Sequence, residues 1–195
     1  ALLLVSSAAT LAQDAAPKLE LKKGDHVAIV GNTLAERMQH DGWLETTLHC
    51  RFPEHDLVVR NLGFSGDELT TRLRSAGFGT PDEWLTRTKA DVVIACFGYN
   101  ESFAGKEGLD KFKQNLADFI KHTLSQKYNG KGAPQLVLFT PFPQQVSDDP
   151  NLPSQKVVDE HNARIGLYAK TMVEVAAANN VVCGNLFEPL PQAAA

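Results

Sequence analysis

Five short runs of consecutive apolar residues, rich in Val and Ile, mark out the chain: residues 26–30, 57–61, 91–97, 135–139 and 181–186. The first three are followed at once or within two residues by Gly31, Gly63 and Gly98. Short apolar runs bounded by turn residues read as buried strands. The stretches between them carry apolar residues at helical spacing. Residues 34–52 hold Leu34, Met38, Leu44, Leu48 and Phe52, with a break expected at Asp41-Gly42. Residues 109–128 place Leu109, Phe112, Leu116, Phe119, Ile120 and Leu124 on one face, and 154–178 form a long amphipathic helix. Two shorter helices are expected at 67–75 and 81–89, the second with Thr80 as N-cap and Pro81 in its first turn. Residues 141–153, rich in Pro and Asp, read as a loop.

Strand and helix thus alternate five times, and the strands are continuous rather than alternating apolar runs. Both features predict a parallel sheet covered on two faces: an α/β, three-layer sandwich with a five-stranded parallel sheet. With 195 residues, residues 17–195 make one domain. Residues 1–16, an apolar run followed by small residues, resemble the second half of a secretory signal peptide and predict a secreted or periplasmic protein, the rival being a disordered end. Both ends of the sequence read as cut, with further domains expected beyond residue 195.

Composition narrows the function. Nineteen basic against 23 acidic residues give a net charge of −4, and no basic stripe appears, which argues against nucleic-acid binding. No apolar run reaches the ~20 residues of a membrane-spanning helix. Cys50, Cys96 and Cys183 lie far apart with no C-x-x-C pair, so neither a zinc nor a redox site is expected, and no cofactor.

In open parallel sheets the ligand crevice lies beyond the carboxyl ends of the strands. Three segments fall there: Gly31-Asn32-Thr33-Leu34, then Asn61 to Asp67 with Ser65-Gly66-Asp67, then Gly98-Tyr99-Asn100-Glu101-Ser102. Each supplies glycine and small polar side chains, and convergent N–H donors are what stabilise an oxyanion.

These three segments resemble, in order and position, the motif blocks of the SGNH (GDSL-type) hydrolases over about residues 24–190. The family's first block is Gly-Asp-Ser-Leu, with Ser as nucleophile; here Asn32 and Thr33 replace Asp and Ser. Its second block is matched by Ser65-Gly66-Asp67, and its Gly-x-Asn-Asp block by Gly98-Tyr99-Asn100-Glu101. The resemblance implies a flavodoxin-like SGNH hydrolase fold and an esterase on small-molecule or carbohydrate esters. Thr33 would occupy the nucleophile position, Gly66 N–H and Asn100 the oxyanion hole, and Asn32, Ser65 and Glu101 would bind substrate. The family's Asp-x-x-His block, which supplies the base, is expected beyond residue 195.

Other readings of the same residues stay open. Thr33 would serve equally as the N-cap of the helix at 34, and Ser65 and Ser102 as surrogate nucleophiles. Glu101 reads by default as a solvated loop carboxylate. Among the histidines His26, His40, His49, His55, His122 and His161, His161 follows Asp159-Glu160 but reads as a solvated helical residue. The rival functions are a non-catalytic ligand- or carbohydrate-binding module on the same fold, and a nucleotide binder using the first loop as a phosphate cradle. The latter is disfavoured by the few glycines and the absence of Lys there.

Overall fold

The computed structural model describes residues 17–73 and 77–188. Its elements, in chain order, are β1 (His26–Gly31), α1 (Thr33–Asp41), α2 (Trp43–Arg51), β2 (Val58–Asn61), α3 (Pro81–Arg87), β3 (Val92–Cys96), α4 (Leu109–Ser125), β4 (Gln135–Phe139), α5 (Gln155–Ala178) and β5 (Val182–Gly184). Short 3-10 turns at Pro53–His55, Glu101–Ala104 and Lys106–Gly108 complete them. The strands are parallel in the order β2-β1-β3-β4-β5. This is the flavodoxin-like order, with the switch in direction between β1 and β3.

The continuous apolar runs are explained by burial on both faces. Ala28, Val30, Val93, Ala95 and Leu138 pack against Leu85 of α3, Phe112, Leu116 and Ile120 of α4, and Tyr168 and Met172 of α5. Alternate residues Val27, Ile29, Val92, Ile94 and Val137 turn the other way, onto Ala35 of α1 and the segment carrying Leu19 and Leu21. The three-layer sandwich expected from the pattern is therefore the fold.

Local chemistry sets the boundaries. Gly42 takes a left-handed conformation between α1 and α2, accepting the break at Asp41-Gly42. Thr80 closes a full capping box with Glu83 at the start of α3. The sheet's last strand is three residues long and is latched by Thr140, whose hydroxyl oxygen accepts from Leu186 N (2.7 Å) and Phe187 N (3.2 Å).

One expected element is absent. Over 67–73 there is no helix, and 74–75 lie outside the described residues, as do 1–16 and 189–195. Two N–H groups of this stretch are tied by carboxylates instead: Glu101 Oε1 accepts from Leu69 N (2.9 Å), and Asp67 Oδ1 accepts from Leu73 N (3.3 Å), which a helix would direct to the Leu69 carbonyl. No helix among the described residues is long and apolar enough to cross a membrane.

Candidate active site

Register puts the first three strands' carboxyl ends level. Gly31 lies opposite Cys96, and Ile29 lies opposite Asn61. The loops that follow are then stitched to one another. Asn32 N donates to Cys96 O (3.0 Å), and Phe64 N donates to Gly31 O (2.9 Å). The Asn100 amide donates from Nδ2 to Asp67 O (3.1 Å). Thr33, Gly66 and Asn100 therefore share one rim of the sheet, at the switch point. A primary amide carries two N–H donors, so Asn100 keeps a second after bonding Asp67.

Thr33 is the first residue of α1 and is exposed. It is not the helix cap: Asn32 is, its Oδ1 accepting from Leu34 N at 3.1 Å while the residue itself is buried. The expectation of Thr33 as cap is corrected by one residue, and its hydroxyl is left for other work. Gly66 adopts φ +91°, a region that disfavours any residue with a Cβ. Ser65 is exposed and donates to Glu36 Oε2 (3.2 Å), and Glu36 in turn pairs with His40 (2.9 Å) on α1. The hydrogen bond from His40 lowers the Glu36 carboxyl from its ordinary value, and the Ser65 and Arg37 contacts act in the same direction.

Glu101, expected among the substrate-binding groups, is not a solvated loop carboxylate. Its Oε1 takes Leu69 N and its Oε2 takes Gly98 N (2.8 Å), so it ties the second loop to the third. Burial pushes its carboxyl up, against the pull of those donors. Ser102 is wholly buried, its hydroxyl donating to Tyr99 O (2.6 Å).

His161 also departs from expectation. It is 3% exposed rather than solvated. Its Nε2 lies 3.0 Å from Ser102 Oγ and its Nδ1 3.2 Å from Gln144 Oε1, with the rings of Tyr99 and Phe103 against it. The signal was present in the sequence: Val158, His161, Ile165, Tyr168 and Met172 are spaced three and four apart, the spacing of one helical face. Burial, helped by the charge of Arg164, holds the imidazole below its ordinary value. The neutral ring therefore contributes stability above about pH 6.5, the unfolded value, and that stability is lost as pH falls through the lower folded value. The wild-type urea midpoint is expected to drop more between about pH 7.5 and about pH 5 than that of His161→Gln. Equal drops would assign the acid sensitivity to another group.

Cys96, inside β3, is a buried thiol pushed up to about 12 by that burial, a packing residue rather than a nucleophile. Cys50, Cys96 and Cys183 are all unpaired. Among the described residues no group of three or more His, Cys, Asp or Glu side chains is placed to hold a metal ion.

A parallel sandwich with backbone N–H groups, an amide and a hydroxyl gathered at its switch point has the build of an α/β ester hydrolase. Residues 24–195 match the model of the GDSL-like lipase/acylhydrolase family, and the chain belongs to that family. No curated protein matches it. Among solved structures, it is similar to a catalytic mutant of an acetylxylan esterase from Geobacillus stearothermophilus, at 17% identity and a TM-score of 0.61, covering 85% of this chain and 77% of that one. An aryl esterase from M. smegmatis is 13% identical with a TM-score of 0.59, covering 83% and 84%. A gut microbial diltiazem-metabolizing enzyme is 18% identical with a TM-score of 0.64; the match takes in 89% of this chain but only 39% of that one.

Proposed function

We propose that this protein hydrolyses carboxylic esters, on small molecules or on carbohydrate, with Thr33 as nucleophile and with Gly66 N–H and the Asn100 amide holding the oxyanion. The observation that carries the reading is the hydrogen bond from Asn100 Nδ2 to Asp67 O, which fixes the amide beside the Gly66 turn on the rim where Thr33 is exposed. In the forward step the Thr33 oxygen attacks the ester carbonyl and its proton passes to a base. The carbonyl oxygen takes up negative charge against the two donors; the tetrahedral species then expels the alcohol, and water releases the acyl group by the same route. Among the described residues no imidazole is hydrogen-bonded to the Thr33 hydroxyl, and His161 is engaged inside the fold.

Hydrolysis of p-nitrophenyl acetate by the full-length protein tests this. Thr33→Ala is expected to lower kcat at least ~10²-fold. Thr33→Ser, which keeps the hydroxyl and loses the γ-methyl that restricts the rotamer, is expected to retain or exceed wild-type turnover. Unchanged turnover in Thr33→Ala would remove Thr33 from the reaction. That hydroxyl has no hydrogen-bond partner among the described residues, which favours a second reading, a non-catalytic binding module. It predicts no turnover and a melting temperature raised by an ester or sugar ligand.

A further inference from the structure

The turn that carries Asn100 is folded around one side chain of α5. His161 Nε2 lies 3.0 Å from Ser102 Oγ, the Phe103 ring sits 4.2 Å from the imidazole at a tilt of 34°, and the Tyr99 ring meets it edge-on at 5.1 Å. Tyr99, Ser102 and Phe103 thus all meet the same imidazole, with Asn100 and Glu101 between them. Position 161 falls between Val158 and Ile165 on the buried face of α5, where an apolar side chain would pack without a polar group to satisfy. A buried polar ring is kept with its hydrogen bonds made.

Those bonds fix where its proton lies. The Ser102 hydroxyl has one hydrogen, and it goes to Tyr99 O at 2.6 Å. Toward His161 that oxygen can only accept, so Nε2 carries the hydrogen of the ring. Burial and the charge of Arg164 keep the imidazole uncharged at neutral pH, which leaves Nδ1 as an acceptor. The Gln144 amide stands 3.2 Å from Nδ1, and a half-turn of that amide presents its N–H to the neutral ring. A chain of two hydrogen bonds therefore runs from His161 Nε2–H through Ser102 Oγ to Tyr99 O. The carbonyl it ends on belongs to the peptide whose nitrogen is that of Asn100. A peptide is planar, so holding Tyr99 O also holds Asn100 N and Cα. On the opposite side Asn100 and Glu101 bond the second loop, at Asp67 O and Leu69 N.

We propose that His161 is a positioning residue for the oxyanion hole: through Ser102 it fixes the turn that carries Asn100, so that the amide stands ready where the carbonyl oxygen takes up charge. The assignment rests on the esterase reading above. A donor fixed in advance costs no reorganisation as the charge forms. A misplacement of about 1 Å, caused by a residue remote from the chemistry, costs on the order of 10²-fold in rate. In this role His161 touches no reacting atom.

The full-length protein is assayed on p-nitrophenyl acetate, with thermal unfolding to show that each variant is folded. His161→Leu fills much of the same space without a donor and is expected to lower kcat about 10–10²-fold with KM within about twofold of wild type. His161→Gln, whose amide N–H can reach Ser102 Oγ, is expected to restore kcat to within about threefold of wild type. Ser102→Ala cuts the chain at its middle and is expected to match His161→Leu; it carries the test if His161→Leu fails to fold. In an Asn100→Ala background both substitutions are expected to cost less than about twofold, because the donor they position is gone.

Losses that recur in full in the Asn100→Ala background overturn the positioning role and leave the esterase reading intact. So does wild-type kcat in folded His161→Leu or Ser102→Ala, and so does a folded His161→Gln no faster than His161→Leu. No turnover of the ester by the wild-type protein overturns the esterase reading and the positioning role with it.

Discussion

Replacing Asn100 by Ala is expected to lower kcat on p-nitrophenyl esters by about 10²–10³-fold, the loss measured where one oxyanion donor is removed. In the proposed role the side chain meets the reacting oxygen only as charge develops, so KM should change little. Asn100 also bonds Asp67 O, so a displaced loop is the rival cause of a loss. Thermal unfolding of the variant separates the two. One neutral hydrogen bond contributes about 0.5–1.5 kcal/mol, a shift of a few degrees, whereas the catalytic loss corresponds to about 2.7–4 kcal/mol. A kcat within about threefold of wild type would remove Asn100 from the oxyanion hole.

The largest effect on stability is expected at Gly31. It ends β1 with φ +129°, and a Cβ added there would lie 2.1 Å from Cys96 O, with the Cys96 carbonyl carbon and nitrogen also inside 3 Å. Those atoms are backbone of the neighbouring strand and cannot swing aside. Gly31→Ala is therefore expected to cost more than ~4 kcal/mol, enough to leave a marginally stable domain largely unfolded. Gly24→Ala supplies the control. It also has a positive φ (+81°), but its added Cβ would meet nothing within 4 Å, so only the backbone penalty of about 1–2 kcal/mol remains. Urea midpoints for the two variants test the difference. Similar losses would mean that conformation, not the approach of β3, dictates glycine at 31.

How far the sequence revealed all this depended on which forces decide each element. The strands and α4 were legible because burial decides them, and burial writes itself as apolar runs and helical faces. The rim was legible because chain order and the parallel sheet place the ends of β1, β2 and β3 together. What escaped was decided by side chains distant in sequence. Leu69 and Leu73 have helical spacing, yet the N–H groups of both are taken by carboxylates, one of them 32 positions away. Glu101 looked like a solvated loop acid because nothing local announces two buried backbone donors converging on it. His161 is the opposite case. Its place on the buried face was written in the spacing, and the polarity of the residue type overrode it, while Val157 and Leu167, apolar by type, are exposed.

Both outermost strands of the sheet are short, four residues in β2 and three in β5. A foreign strand seeking an edge to pair with finds little main chain on offer. On β2 it meets the exposed Arg60, and on β5 it meets a strand whose continuation is already turned aside by Thr140. Edges of this kind guard against edge-to-edge sheet growth, and thus against fibrous aggregation.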